Sequence, residues 1–486
     1  MMGKGRLNSV APIEPVRRRK ETVPRTGAWA ARVADGKRAR ETAPLEDHAI
    51  FHPTSLRADP IELLGRQGPS RVAELLPIRY GRMVSSSFAF YRGAALVMAA
   101  DLATTPNAGL RVQLCGDAHL SNFGFYASPE RHLVFDLNDF DETLPGPFEW
   151  DVKRLAASVE IAARSQSFKA KEIRAIVVGT VRSYRESMRA FATMPNQQVW
   201  YARLDAEEFL AKLRGAAPPD RLRRAEAMLA QAKTKDSMQA FKKLTHDVDG
   251  QARIISDPPL IVPIDELLPG EQAESLQAQM AELLTAYRSS LVSDRKHLFD
   301  QYRFVHMARK VVGVGSVGTR AWILLFEGLD GGDPLFLQAK EAQSSVLEQY
   351  LGVSEHANHG ERVVSGQRLM QASSDIFLGW QRTNGLDGVD RDYYVRQLRD
   401  WKASADVEGS RPQGMGIYGQ VCGWTLARAH ARSGDRVAIG AYLGKKDVFE
   451  NAIADFASTY ADQNEKDHAL LRAAIDSGRV EATEGV

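Results

Sequence analysis

The segment from Cys115 to Gly124 constrains the fold of this chain more than any other stretch. It reads Cys-Gly-Asp-Ala-His-Leu-Ser-Asn-Phe-Gly, and it places Asp117 and Asn122 five positions apart in a loop of mostly small, uncharged residues. A strand-like run follows and ends on Asp136. We therefore treat these three polar side chains as members of one candidate site.

This set of polar groups is typical of phosphoryl transfer. In enzymes of the protein-kinase type, an Asp accepts the substrate proton, an Asn five residues later holds a metal, and an Asp after a hydrophobic strand holds the metal that bridges the phosphates. Asp117, Asn122 and Asp136 match that order. Asp139 and Asp141 compete for the metal role, but Asp136 fits best because it closes the strand, 14 residues after Asn122. The remaining carboxylates would cap the next helix.

Composition is that of a soluble globular protein. Of the 486 residues, 44% are hydrophobic and 26% charged, and 63 basic against 61 acidic residues leave a net charge of +2. This balance predicts no nucleic-acid partner. Two cysteines, Cys115 and Cys422, suit a reducing compartment. Because the N-terminus has no apolar h-region and no apolar run approaches ~18 residues, we expect a cytoplasmic protein without a membrane partner.

Changes in composition divide the chain into four parts. Residues 1–45 are basic and poor in large apolar residues, so we expect a disordered tail. Residues 46–309 are typical of a helix-rich part that carries the catalytic and metal loops. Strand-like runs dominate residues 310–402, and residues 403–486 return to helix. These patterns predict an α+β fold in which a small β unit separates two helix-rich parts.

A glycine-rich pattern, G-x-G-x-x-G, opens the β unit. Its members are Gly313, Gly315 and Gly318, with Ser316 between them. A Rossmann fingerprint would require a helix next, but residues 321–326 are strand-like. A Walker loop would require Gly-Lys-Ser/Thr, whereas Thr319 and Arg320 follow here. The remaining interpretation is a glycine-rich hairpin whose backbone amides approach phosphate oxygens.

The next strand predicts the lysine that such a hairpin requires. Lys340 ends an apolar run, where its charge needs a partner. Side chains alternate along a strand, so Glu341 points away, and Glu348 or Glu361 on the following helical stretch is the expected partner. Two more strand-like runs come after that helix, as in the small lobe of a kinase. The connection after residues 393–398 would then meet adenine.

The order of the two constellations is the reverse of that in kinases, where the small lobe precedes the catalytic loop. Here Gly313 follows Asp117 by 196 positions (313 − 117). The chain would have to be circularly permuted, or its small lobe inserted within the large one, and folding tolerates either. We therefore expect a protein-kinase-like two-lobe fold, permuted relative to kinases, with a helix-rich large lobe.

Several blocks of the sequence resemble the bacterial family called domain of unknown function 2252 (DUF2252). They are Pro77–Met83, Phe88–Gly93, Cys115–Gly124, Phe135–Glu142, Trp150–Leu155, Val312–Arg320, Gln338–Ala342 and Leu426–Ala431. The resemblance covers nearly all of the chain beyond the tail. It implies a fold similar to the protein-kinase-like superfamily, particularly its aminoglycoside phosphotransferase branch.

The catalytic loop of that branch reads His-Gly-Asp-x-His-x-x-Asn, and this chain resembles it except for Cys115 in place of the first His. By this resemblance His119 either contacts a phosphate or braces the loop, and we expect bracing. The branch also has an aspartate that begins a helix, and Asp151 resembles it.

The leading functional hypothesis is phosphoryl transfer from ATP, with Mg²⁺, to a hydroxyl of a small molecule or protein. Asp117 would deprotonate the acceptor, Asn122 and Asp136 would hold the metal, and Lys340 with the glycine amides would stabilise charge on the transferred group. Residues 160–310 are the expected source of the acceptor pocket. The acceptor and the oligomeric state stay open.

Three alternatives remain at this point. The same fold can transfer the nucleotidyl (AMP) group instead, or bind nucleotide as a pseudokinase without turnover. A different class is a metal-dependent hydrolase that uses the acidic and histidine residues of segment 117–141, namely Asp117, His119, His132, Asp136 and Asp139. That hypothesis leaves the glycine pattern and Lys340 without a role.

Overall fold

Helices make up the larger part of the molecule and antiparallel strands the rest, as expected for an α+β protein. A computed structural model describes residues 27–216, 219–268, 280, 282–385, 388–398, 400–403 and 407–486. Residues 1–26 of the predicted tail lie outside this set. Disorder was expected up to residue 45, but a helix begins at Gly27 and packs on the helix Arg436–Leu443.

The α-helices are α1 (Gly27–Thr42), α2 (Pro60–Arg66), α3 (Leu76–Val84), α4 (Ser87–Gly93), α5 (Ala95–Leu102), α6 (Phe148–Ser165), α7 (Ala170–Phe191), α8 (Asn196–Tyr201), α9 (Ala206–Ala216), α10 (Pro219–Lys233), α11 (Ser237–Leu244), α12 (Ile264–Leu267), α13 (Ser293–Phe299), α14 (Glu348–Leu351), α15 (His359–Met370), α16 (Pro412–Ser433), α17 (Arg436–Leu443) and α18 (Val448–Asp476). Residues 282–290 are also helical.

The strands are β1 (Arg111–Leu114), β2 (Phe123–Ala127), β3 (Leu133–Leu137), β4 (Leu144–Pro147), β5 (Leu204–Asp205), β6 (Thr245–Val248), β7 (Gln251–Ile254), β8 (Ile261–Pro263), β9 (Tyr302–Lys310), β10 (Ala321–Gly328), β11 (Pro334–Ala342), β12 (Gly379–Asn384) and β13 (Asp390–Gln397). Short 3-10 helices lie at Leu45–Ala49, Ala73–Leu75 and Leu120–Asn122.

The largest sheet contains six antiparallel strands in the order β12-β13-β11-β10-β9-β8. It begins earlier than the predicted residue 310, because β9 starts at Tyr302, where helix was expected, and β8 joins its edge. Residues 302–310 form a strand rather than a helix because they pair with β10. Strand preference depends on cross-strand neighbours more than on composition.

The two faces of this sheet have different neighbours. One face presents Leu324, Leu337 and Val395 to the helical residues 282–290, and these apolar groups form a core of their own. Lys340 lies opposite Tyr394 in the register and belongs to the other face, because adjacent residues of a strand point to opposite sides. That second face turns Lys340 toward the loop after β3.

The helices that precede the sheet in the sequence and those that follow it pack together into one helical body. α7 packs along α16 so closely that a Cβ on Gly423 would lie 2.3 Å from the backbone oxygen of Thr180. α6 and α18 add to the same apolar core. The six-stranded sheet, called the sheet unit below, therefore lies in the sequence between helices that pack against one another. Among the described helices, none combines the length and apolar character that crossing a membrane requires.

The close approach of α7 and α16 gives a stability test with a matched control on one helix. We expect Gly423→Ala to lower the free energy of unfolding by about 1–3 kcal/mol, because the added methyl group meets backbone atoms that cannot move aside. Gly414→Ala, where a Cβ would have no neighbour within 4 Å, should be neutral or up to about 1 kcal/mol stabilising. Denaturant unfolding measures both, and equal changes would contradict the packing described here.

Candidate active-site cleft

The loop after β1 is held by a carboxylate at the start of α6. Asp151 accepts hydrogen bonds from the backbone N–H of Cys115 at 2.8 Å and of Gly116 at 3.1 Å, and its other contact is His430 at 3.2 Å. Gly116 has φ 84°, and a Cβ there would lie 2.2 Å from the Glu142 backbone oxygen. Asp151 thus orients the loop rather than facing the cleft.

Asp117 presents one oxygen to an arginine and leaves the other toward the cleft. Arg154 donates from Nε to Asp117 Oδ1 at 2.8 Å, and its Nη2 lies 2.7 Å from the same oxygen. Asp117 Oδ2 lies 3.6 Å from His119 Nε2. Since the Asp117 side chain keeps a quarter of its surface exposed, its second oxygen is accessible to a ligand.

His119 is a neutral ring packed under the loop. Burial, more than any charge, lowers its pKa to about 4, even though Asp117 favours the charged form. Its Nδ1 is buried without a hydrogen-bond partner, while its backbone oxygen accepts from Asn122 N at 2.8 Å. The bracing role of the His119 side chain stays a prediction.

Asn122 does not present its side chain to the cleft as a metal ligand would. Its Oδ1 accepts from the backbone N–H of Asp139 at 2.6 Å and of Asn138 at 3.3 Å, and its Nδ2 donates to the backbone oxygens of Asp117 and Asp139. Because both ends of the amide are bonded, Asn122 ties the first loop to the second. The predicted metal role is corrected to a positioning role.

Asp136, which the sequence favoured as the metal carboxylate, faces the protein interior. Its side chain is 1% exposed and forms an ion pair with Arg428, itself 1% exposed. It also accepts from the backbone N–H of Leu137 and of Ala372, at 2.9 and 2.8 Å. The prediction was wrong because position at a strand end does not determine which face the side chain takes.

The carboxylates that reach the cleft are the two that follow. Lys340 Nζ forms an ion pair with Asp141 and lies 3.6 Å from Asp139 Oδ2. Tyr394 donates its hydroxyl to the second oxygen of Asp141 at 2.8 Å. The Lys340 ammonium thus interacts with two carboxylates that lie two residues apart in the sequence.

These charges shift one another's pKa. Burial alone would lower the pKa of Lys340, but Asp139 and Asp141 together raise it, so the ammonium stays charged. Burial and the negative charge of Asp139 raise the pKa of Asp141. Asp139 is also affected by burial, yet Lys340 and Arg396 lower its pKa. Lys340 thus favours the charged form of both carboxylates.

The expected glutamate partners of Lys340 are used elsewhere. Glu348 caps the backbone N–H of Ser345 at 3.1 Å and lies 3.9 Å from Arg362, and Glu361 lies 3.9 Å from His356. The helical stretch after β11 therefore supplies no carboxylate to Lys340. Both glutamates were reasonable by sequence, but the long-range partner Asp141 displaces them.

The glycine-rich turn between β9 and β10 is held by arginines of the helical body. Gly313 and Gly318 have φ of 68° and 90°, conformations that a side chain would strain. Arg71 Nη1 donates to the Gly315 carbonyl at 2.8 Å, and Arg82 Nη1 donates to the Gly313 carbonyl at 2.6 Å. The helical body thus holds two carbonyls of the turn, and Gly313 and Gly315 line the cleft.

The N–H groups without a partner include two at the centre of the turn. Within the part of the chain that the structure describes, the backbone N–H groups of Gly315 and Ser316 meet no hydrogen-bond acceptor. The Ser316 hydroxyl lies 3.5 Å from Asp141 Oδ2, which connects the turn to the carboxylate pair. Successive unbound amides in a turn form a concave site for anions.

These groups surround one cavity of about 1190 Å³. Its polar lining includes Arg92, Asp117, His119, Asn122, Asp139, Asp141, Ser316, Glu348 and Lys402, together with Gly313 and Gly315. Lys340 is buried behind the lining and reaches it through Asp141. Lys402, in the segment after β13, also lines this space, and burial lowers its pKa to about 7. Contact of this segment with adenine stays a prediction.

Arginines are the residues that sequence reasoning missed. Arg71, Arg82, Arg92 and Arg154 all act at the cleft, and all but Arg71 fall in blocks that were singled out by family resemblance alone. No spacing rule identifies an arginine whose partner is distant in sequence.

The oxygen atoms of the cleft can be compared with the ligands that a divalent ion such as Mg²⁺ requires. Asp139 Oδ1 is buried without a hydrogen-bond partner, and an ionised oxygen in that state needs a cation. Oxygen ligands suit Mg²⁺, which also keeps several waters and takes phosphate oxygens. Among the described residues, no group of three or more His, Cys, Asp or Glu side chains converges as a ready-made metal site. The residues fit an ion shared with phosphates.

The five residues of the hydrolase hypothesis do not come together. His132 is exposed on the turn before β3, and Asp136 is bound to Arg428, while Asp117, His119 and Asp139 line the cleft. The mixed histidine and aspartate ligand set is therefore not formed.

Comparison with known proteins gives one match. The family model described as "Uncharacterized protein conserved in bacteria (DUF2252)" matches residues 71–474. Neither a curated protein nor a solved structure matches the chain. The match includes both loops, the glycine-rich turn and Lys340.

The contrast between Asp136 and Asp139 predicts different consequences for stability. Asp136→Asn should lower the free energy of unfolding by about 3–5 kcal/mol, because Arg428 would keep a buried charge without its partner. Asp139→Asn should cost about 1 kcal/mol or less, since its side chain is 42% exposed and Asp141 still binds Lys340. Chemical denaturation compares them, and a larger loss in Asp139→Asn would contradict the assignment.

Glu142 predicts a pH dependence of stability. Burial raises its pKa from 4.5 to about 7, although the Val346 N–H, at 2.7 Å, favours the charged form. A raised acid pKa means that the folded protein loses stability as pH rises from about 4.5 to about 7. Glu142→Gln keeps an acceptor for Val346 and should remove this loss. Unfolding curves at pH 5 and pH 8 measure it, and parallel changes in both proteins would refute it.

Proposed function

The chain belongs to the DUF2252 family of bacterial proteins, and we propose that it is an ATP- and Mg²⁺-dependent phosphotransferase acting on a hydroxyl group. One observation carries the proposal. Lys340 of the sheet unit pairs with Asp141 and Asp139 of the loop after β3, in a cavity wall shared with Asp117 and Gly315. Residues that phosphoryl transfer requires thus meet from distant parts of the sequence.

The sheet supports a kinase-like small lobe. Strands β9, β10 and β11 follow one another with the glycine-rich turn between the first two and Lys340 on the third. Helices α14 and α15 come next, followed by β12 and β13, and β13 pairs with β11. We propose that this unit is the nucleotide lobe of a kinase-like fold and that the surrounding helical body is the large lobe.

In the proposed reaction, Asp117 accepts the proton of the acceptor hydroxyl on Oδ2. Arg154 keeps the other oxygen fixed, so the free oxygen has one orientation toward the cleft. The amides of Gly315 and Ser316, and the ammonium of Lys340 behind Asp141, would stabilise negative charge on the phosphates. The arrangement places base and charge-stabilising groups before the substrate arrives.

Mg²⁺, when bound, would neutralise negative charge on the phosphates. Asp139 would hold it through the oxygen that has no partner in the protein. Asn122 fixes the backbone of Asp139 and thereby the direction of that oxygen. The cavity of about 1190 Å³ has room for a nucleotide together with an acceptor.

Nucleotide binding is the first test. Isothermal titration of the full chain with ATP should show binding that Mg²⁺ strengthens. Asp139→Asn should abolish the Mg²⁺-dependent gain, because it removes the unpartnered oxygen anion. Asp390→Asn, an exposed carboxylate on the rim of the same cavity, is the matched control and should keep the gain.

No binding of ATP by the wild-type chain, with or without Mg²⁺, would overturn the proposal. If ATP binds, the protein is incubated with ATP labelled on either the γ or the α phosphate. Lysate fractions, or the protein itself, serve as the acceptor. Transfer of the γ label indicates phosphoryl transfer, and transfer of the α label indicates nucleotidyl transfer. Transfer of the α label would replace phosphotransferase by nucleotidyltransferase on the same site. Binding without transfer of either label would support the pseudokinase.

A further inference from the structure

Arg92 occupies the space between the base and the glycine-rich turn. It lies near the end of α4 and lines the same cavity as Asp117 and Gly315. Its backbone oxygen lies 3.1 Å from the position that a Cβ on Gly315 would take. No role was assigned to it by the sequence, although it belongs to the block Phe88–Gly93.

The neighbouring residue fixes Arg92 relative to Asp117. Tyr91 accepts from Arg154 Nη2 through its backbone oxygen at 2.8 Å, and its hydroxyl donates to the Arg154 backbone oxygen at 2.7 Å. The Arg154 guanidinium also lies 3.9 Å from the centre of the Tyr91 ring. Because the same guanidinium binds Asp117, α4 and the base move as one unit.

Among the described arginines that line the cavity, Arg92 is a half-buried one without a partner, whereas Arg66 is exposed. Arg71 binds carbonyls of the glycine-rich turn, Arg79 binds the Gly93 carbonyl, and Arg154 binds Asp117. Among the described residues, the Arg92 guanidinium makes no hydrogen bond or ion pair, and its Nε is buried without an acceptor. Partial burial of an unpaired cation is costly unless an anion completes it.

A negatively charged group of the substrate would pair with the Arg92 guanidinium in this part of the cavity. The transferred phosphoryl group must lie between the amides that hold the phosphates and the oxygen that accepts the acceptor proton. During transfer its three equatorial oxygens carry the charge, and an arginine presents several N–H donors to such oxygens. A guanidinium supplied from the same chain acts this way in other phosphoryl-transfer enzymes.

We propose that Arg92 is a catalytic residue that contacts the transferred phosphoryl group and stabilises its charge during transfer. The inference rests on the proposed function. In the step, the bond from the γ phosphorus to the β–γ bridging oxygen breaks and leaves its electron pair on ADP. The acceptor oxygen forms the new bond to phosphorus, and its proton passes to Asp117 Oδ2. No other reactant is needed.

A transition-state mimic tests this without knowledge of the acceptor. ADP, Mg²⁺ and aluminium fluoride, with water in the attacking position, imitate the phosphoryl group in flight. Titration of the wild-type chain with ADP and Mg²⁺ should show binding that aluminium fluoride tightens by roughly 100-fold. In Arg92→Met the ADP affinity should stay within about twofold of wild type, while the tightening falls to about tenfold or less.

Two further variants keep the result interpretable. Arg66→Met removes an exposed arginine from the lining of the same cavity and should keep the full tightening. Arg92→Lys keeps the charge but loses the planar donor set, so it should recover only part of the effect. Thermal unfolding of each variant checks that it folds. If Arg92→Met does not fold, the comparison is made with Arg92→Lys instead.

The outcomes separate the two proposals. Failure of the wild-type chain to bind ADP overturns the proposed function. Normal ADP binding without tightening by aluminium fluoride, or equal tightening in Arg92→Met, overturns the role of Arg92 and leaves the nucleotide site intact. Loss of ADP binding itself in a folded Arg92→Met would make Arg92 a ground-state nucleotide ligand instead.

Discussion

The ion pair between Lys340 and Asp141, with Asp139 beside it, is the interaction on which the cleft depends. It is the point where the second face of the six-stranded sheet meets the loop after β3. A buried ammonium requires carboxylates, and two ionised carboxylates two residues apart require a cation. Lys340 of the sheet and the two carboxylates of the loop after β3 therefore hold the sheet and the helical body together, because separating them would leave buried charges unpaired.

Around this pair, other buried charges position the loops. Arg428 holds Asp136 behind the cleft, and Asp151 holds the backbone of the loop after β1. Asn122 then joins the two loops. Each of these polar groups is fully bonded inside the protein, which leaves the Asp117 and Asp139 oxygens as the ones available to a ligand. The cleft is thus built from paired groups that orient a few unpaired ones.

Local patterns could be predicted where the chemistry lies within a short segment. The spacing of Asp117 and Asn122, the glycine-rich turn and Lys340 on a strand are all readable in sequence, and all lie at or beside one cavity. The choice among Asp136, Asp139 and Asp141 could not be made this way. It depends on which face of β3 the helical body covers, and Arg428 comes from α16, distant in the chain.

The sequence by itself determined the α+β class and the family, and it showed the local patterns at Asp117 and at Gly313–Gly318. Tertiary structure decided that Asp139 rather than Asp136 faces the cleft, that Lys340 pairs with Asp141 rather than with Glu348 or Glu361, and that Arg92 stays unpaired. The physical reason is that a charge inside a protein takes the partner that folding brings within reach. Residue spacing along the chain does not contain that information.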